Sequence, residues 1–167
     1  DASLRMAIRN MKNPPTTFIK YEGTSFNFFG FASPSLLGFG GRGSSMAKAI
    51  ARNSDEIYVK AVAEPEENRK EMAIKDYGVP AENVFNDYEE FLSKGVIVDL
   101  LIITTMDNYH YEPLMKALEL GYKNILLEKP ISPDPKECLE IVRSIPGFVC
   151  VKGNHDEYAS NGDEGVA

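Results

Sequence analysis

The chain of 167 residues is about one domain long, and an apolar fraction of 43% is enough to build a buried core. A formal net charge of −7 argues against nucleic acid or an anionic membrane surface as partner, and no basic patch interleaved with aromatics is present. No apolar run is long enough to span a bilayer, and Cys138 and Cys150 have neither C-x-x-C nor metal-ligand spacing, so a reduced, cytoplasmic setting is expected, with both as small buried hydrophobes.

The chain begins at Asp1 rather than methionine, as a processed product, a fragment or a partly observed chain would. Residues 1–34 form an unassigned N-terminal segment. Arg5, Arg9 and Lys12 precede Pro14-Pro15 and an aromatic stretch from Phe18 to Phe31, but Asn27, Gly30 and Pro34 break it too often for a secretion signal. The segment is expected to supply strands or loops beside the first strand. That strand, Ser33-Pro34-Ser35-Leu36-Leu37, reads poorly because proline lacks the N–H that a central strand donates.

From Gly38 the order becomes regular. Gly38-Phe39-Gly40-Gly41-Arg42-Gly43 fits G-x-G-x-x-G and leads into a helix from about Arg42 to Arg52, with Met46, Ala49 and Ile50 on one face. Ile57–Ala63 reads as a buried parallel strand ending at Glu64-Pro65, and Pro65 is placed to open a second helix that stops at Gly78. Val84-Phe85 is a short strand, and Asp87 with Glu90 predicts a capping box for a brief helix ending near Gly95. Val98–Thr104 is the strongest strand signal. A polar loop follows to His110, then a helix over Tyr111–Leu120 capped by Gly121, and a strand over Asn124–Leu127. Asp134 caps another helix with Pro135 at its first position. Phe148–Val151 reads as a last strand, and 153–167 as a polar tail.

Strands alternating with helices at this spacing imply an α/β, doubly wound parallel sheet over 35–152, with helices on both faces and right-handed crossovers. In such a sheet the ligand lies at the carboxyl ends of the strands, where the connectivity reverses. Gly38–Gly43, Glu64, Thr104–His110 and Glu128-Lys129-Pro130 all fall at those ends. The glycine run would bring backbone N–H groups and the positive end of a helix dipole to a dinucleotide diphosphate, although taken alone it is also an ordinary loop. Phe39, Arg42, Thr104, Thr105 and Glu128 join the glycines as candidate cofactor contacts, with an exposed arginine equally ordinary at position 42. Glu64 is placed to accept the ribose hydroxyls and repel a 2′-phosphate, favouring NAD over NADP; its alternative is a solvated glutamate at a helix start.

Lys129, between Glu128 and Pro130 at a strand end, is the leading catalytic candidate. Partial burial there would fit it to exchange a proton with a substrate hydroxyl, the alternative being a surface lysine paired with a carboxylate. His110 is the second candidate, against a structural role at a helix start. His155 is expected to be solvated, and the acidic pairs Asp156-Glu157 and Asp163-Glu164 have no ligand spacing, so no metal is expected.

Together, the glycine loop, Ala63-Glu64-Pro65, Tyr88-Glu89-Glu90-Phe91-Leu92, Asp99–Thr105, the loop closing on His110, Ala117-Leu118-Glu119-Leu120-Gly121 and Glu128-Lys129-Pro130 resemble the cofactor domain of the Gfo/Idh/MocA oxidoreductases over about residues 36–145. The resemblance implies a Rossmann fold and NAD(P)-dependent hydride transfer to or from a carbinol of a sugar, polyol or related compound. It gives Lys129, in the E-K-P signature, contact with substrate and the nicotinamide region, and puts His110 beside the cofactor. It also implies a second, substrate-binding domain that is absent from this chain and a homo-oligomer at full length. The chain alone is then expected to bind a dinucleotide without turning over substrate. Two other readings stand beside it: an NAD-dependent glycosidase, because some relatives of that kind share a G-G-R-G loop like Gly40–Gly43, and a non-catalytic NAD(P)-sensing module.

Overall fold

The computed structural model describes residues 18–22, 25–29, 33–53 and 57–145. Strands β1 (Phe18–Glu22) and β2 (Ser25–Phe29) pair antiparallel as a separate hairpin. Its second strand lies beside helix α1 (Gly41–Asn53). The predicted strand over 148–151 and the tail, with Cys150 and His155, lie outside the described residues.

The remaining elements follow the alternation expected from the sequence. They are β3 (Pro34–Leu37), α1, β4 (Val62–Ala63), α2 (Glu67–Tyr77), β5 (Val84–Phe85), α3 (Tyr88–Leu92), β6 (Leu100–Ile103), α4 (Tyr111–Leu120), β7 (Ile125–Leu127) and α5 (Pro135–Ser144). The five strands from β3 onward form one parallel sheet in the order β5-β4-β3-β6-β7. The chain therefore moves outward from β3 in one direction, then returns to the other side of it, and the reversal lies between β3 and β6.

Side-chain alternation divides the core between the two faces. Leu36, Leu100 and Ile102 pack with Phe39, Met46, Ile50 and Ala73 under α1 and α2. Leu37, Leu101 and Ile103 pack with Phe91, Leu114, Ala117 and Ile141 under α3, α4 and α5. Each fully buried leucine or isoleucine contributes about 1.5–3 kcal/mol of apolar transfer, so this two-sided burial is what holds the sheet between its helices.

The poorly formed first strand of the sequence reading is in fact the central one, and all four of its residues are buried. Two local devices make this possible. Pro34 stands first in the strand, where its missing N–H breaks no interior rung, and its carbonyl still accepts from Lys60 N at 3.0 Å. The buried Ser35 hydroxyl accepts the Ala61 N–H at 3.0 Å, turning a polar side chain into a sheet partner.

Helix limits are close to expectation. Gly78 and Gly121 cap α2 and α4 with left-handed φ values of 67° and 93°. Asp87 Oδ1 accepts the Glu90 N–H at 2.7 Å, while Glu90 reaches one residue further back than a capping box does, to Asn86 N at 2.9 Å. Pro65 does not open α2: the Glu64 carboxylate takes the Glu66 N–H at 3.0 Å, and the helix starts after it.

Candidate functional site

All five strands of the sheet run the same way, so their carboxyl ends share one rim, and the row is visible in the backbone. Glu64 N donates to Phe85 O at 3.0 Å, Gly38 N to Ala63 O at 2.8 Å, Thr104 N to Leu37 O at 2.8 Å and Glu128 N to Ile103 O at 3.0 Å. Glu64, Gly38, Thr104 and Glu128 thus stand side by side, each tied to the strand next to it. Four segments expected to converge on one ligand do lie on one edge.

The glycine loop is built by close approach. Gly38 has φ 91°, and a Cβ there would come within 2.8 Å of the Thr104 carbonyl oxygen. A Cβ on Gly43 would lie 2.2 Å from the Gly38 carbonyl oxygen. These two glycines let α1 begin directly against β3 and β6. By contrast, Gly41 has open space around it and Gly40 meets only Arg69, 3.8 Å away. The first intrahelical bond is Ser44 N to Gly40 O at 2.9 Å, so the N–H groups of Gly41, Arg42 and Gly43 have no partner within the helix. No acidic residue stands in the first turn of α1. Free donors, open space at Gly40 and Gly41 and an uncompensated dipole fit a diphosphate.

Glu64 is buried, with 2% of its surface exposed. One carboxylate oxygen accepts the Phe39 N–H at 2.6 Å; the other accepts from Glu66 N at 3.0 Å and lies 3.4 Å from Arg69 Nη1. The carboxylate therefore braces the glycine loop from the next strand. Phe39 is itself fully buried and packs edge-on against Tyr77, with ring centroids 5.5 Å apart. Its backbone is at the loop while its side chain belongs to the core.

On the other half of the rim, Thr104 Oγ1 donates to Gly38 O at 2.8 Å, and Thr105 Oγ1 to Tyr109 O at 2.8 Å. Glu128 pairs with Arg42, Oε1 to Nε at 2.7 Å. Lys129 is exposed, not partly buried as expected, because β7 lies at the edge of the sheet and nothing among the described residues covers its end. Its ammonium makes no ion pair among the described residues. His110 is buried at 1% exposure, its Nδ1 2.7 Å from Pro130 O and its Nε2 3.1 Å from Thr105 O. A neutral imidazole has one N–H to donate between these two carbonyls, whereas an imidazolium has two. The ring therefore ties the loop after β6 to the turn after β7. Cys138 is half-buried and its thiol donates to Ser132 O at 3.3 Å. Among the described residues no cluster of histidine, cysteine or carboxylate side chains could hold a metal ion.

Two contacts were not foreseen from sequence: Arg69 with Glu64, and Arg42 with Glu128. Arg69 stands in the first turn of α2, where an arginine near the acidic strand end was available as a signal. The Arg42 contact joins segments far apart in the chain and carried no local signature.

A doubly wound parallel sheet with a glycine loop at its reversal point is the architecture of a dinucleotide-binding domain. Residues 35–146 match the family described as "Oxidoreductase family, NAD-binding Rossmann fold", and the chain belongs to that family, Gfo/Idh/MocA. It is 30% identical over 107 residues to inositol 2-dehydrogenase of Corynebacterium glutamicum, covering 64% of this chain and 31% of the relative. To inositol 2-dehydrogenase/D-chiro-inositol 3-dehydrogenase of Lactiplantibacillus plantarum it is 28% identical over 109 residues, covering 65% and 30%. The fold is similar to myo-inositol dehydrogenase from Lactobacillus casei in complex with NAD(H) and myo-inositol, with TM-score 0.59 and 21% identity over 68% of this chain and 32% of that one. The chain spans about a third of the length of these relatives.

Proposed function

We propose that residues 35–152 are the nucleotide-binding unit of an NAD-dependent oxidoreductase acting on a polyol or sugar carbinol, and that the whole protein is a cytoplasmic homo-oligomer. What supports this is the single row of Glu64, Gly38, Thr104 and Glu128 along one rim, with the open glycine loop at its centre. The names of the relatives, inositol dehydrogenases, favour a polyol over other carbinols.

The bound nicotinamide would supply the hydride chemistry. The protein's part is position and proton transfer. The backbone from Gly38 to Gly43 would hold the diphosphate, with Arg42 beside it. Glu64, buried and bonded through both oxygens, would act on the adenosine end by its charge and through the loop it braces. Its charge disfavours a 2′-phosphate, and Arg69 at 3.4 Å softens that repulsion, so NAD is preferred to NADP by degree. Thr104, Thr105 and Glu128 would line the nicotinamide half. Lys129, exposed at the rim, can reach a substrate hydroxyl and hold or move its proton. His110 would act through the two carbonyls it holds, fixing the turn that carries Lys129.

Calorimetric titration with NADH and NADPH tests the reading. NADH should bind more tightly, and indifference to both nucleotides would overturn it. In the full-length protein Lys129→Ala should abolish turnover on polyols while keeping cofactor affinity.

A further inference from the structure

The Arg42–Glu128 pair crosses the site from the first turn of α1 to the end of β7, over the ends of β3 and β6. Its two partners are unequal: the Arg42 side chain is 49% exposed, the Glu128 side chain 11%. The carboxylate is also shared, because Oε2 accepts the Lys129 N–H at 3.2 Å while Oε1 lies 2.7 Å from Arg42 Nε. A surface ion pair between two mobile side chains fixes little. Here one partner is held by its burial and by a second bond, so it can fix the other.

Arg42 springs from the helix start whose unpaired N–H groups fit a diphosphate. Engaging the guanidinium through Nε leaves its two terminal amino groups as a planar fork, the geometry that grips phosphate oxygens. We propose that Glu128 is a positioning residue that aims the Arg42 fork at the diphosphate of the nucleotide, and that this same carboxylate links the occupied diphosphate site to the backbone of Lys129. The proposal rests on the nucleotide reading above and adds to it a specific division of labour: Arg42 contacts the ligand, and Glu128 acts through Arg42. It also explains why an acidic residue can stand beside an anion site without spoiling it, since its charge is already committed to the guanidinium.

The test is a binding cycle on the 167-residue chain, with NADH, ADP and adenosine as probes and Arg42→Gln, Arg42→Lys, Glu128→Gln and the Arg42→Gln/Glu128→Gln pair as variants. Arg42→Gln should weaken NADH and ADP about tenfold and leave adenosine unchanged, as expected for loss of one charge-assisted contact to phosphate. Glu128→Gln should weaken the same two probes severalfold, and should add nothing once Arg42 is glutamine. Arg42→Lys should recover only part of the loss, because an ammonium cannot hold the carboxylate and present a fork together. Independent, additive effects of the two substitutions would overturn the proposal, as would tighter NADH binding by either single variant, the mark of a pair that bars the site. Failure of the unaltered chain to bind any of the three probes would instead defeat the nucleotide reading itself.

Discussion

The Glu64 carboxylate accepts the Phe39 N–H at 2.6 Å, so the acidic residue at the end of β4 holds the glycine loop of β3 in place. It serves the loop before any ligand arrives. Glu64→Ala should leave the N–H groups of Phe39 and Glu66 without this acceptor and lower stability by about 2 kcal/mol, read by chemical denaturation. Glu64→Gln keeps the shape and one acceptor oxygen, and should cost less. Both variants should bind NADH more weakly and narrow its advantage over NADPH.

The glycines of the loop should separate into two kinds. Gly43→Ala forces a methyl against the Gly38 carbonyl, 2.2 Å from the ideal Cβ, and should cost about 1–3 kcal/mol or more in stability. Gly40→Ala meets nothing closer than 3.8 Å and should melt like the unaltered chain, yet bind NADH less tightly because the methyl occupies the ligand's approach. Thermal melts and titrations on the same two samples separate fold from site.

His110→Ala should remove the donor between Thr105 O and Pro130 O and leave a cavity, a combined loss of about 3 kcal/mol. His110→Phe restores volume without donors, and should recover only the cavity part. Limited proteolysis is expected to cut both variants faster near 104–110 and 128–132, the two segments that the imidazole joins.

Burial pushes the Tyr122 phenol up, opposed by a weaker backbone contact at Ile97, and its hydroxyl donates to Gly95 O at 2.8 Å. With the native pKa above the unfolded one, this group's stabilising contribution is complete below the unfolded value and is lost as pH rises through the native one. The melting temperature should therefore fall on titration above about pH 10. Tyr122→Phe should start lower, having lost the Gly95 bond, but fall less steeply with pH.

What could be read in advance was local. Gly78 and Gly121 end their helices as expected because a left-handed cap is written in one residue and its spacing. Asp87 and Asp134 cap as expected for the same reason. The rim itself was legible because parallel strands put all their carboxyl ends together once the alternation is recognised. Three features were not legible, because each depends on how segments distant in the chain are arranged in the fold. Ser35 fits a buried central strand only because its hydroxyl accepts the N–H of Ala61. Glu64 reads in sequence as a ribose acceptor or a solvated helix-start residue, because nothing local reveals that Phe39 lies within its reach. Lys129 was expected to be partly covered, but the edge position of β7 leaves it open.

The sheet is uneven across its width: β4 and β5 contribute two residues each, whereas β3 and β6 contribute four. Amide protection should follow that difference. Deuterium should enter first at Val84, Phe85 and the ends of β4, and last at Leu101 and Ile102, where the longest ladder is sealed by helices on both faces. If so, the β4–β5 flank breathes while the β3–β6 centre stays closed. A dinucleotide would then slow exchange mainly on the former, tightening a sheet that is unequal by construction.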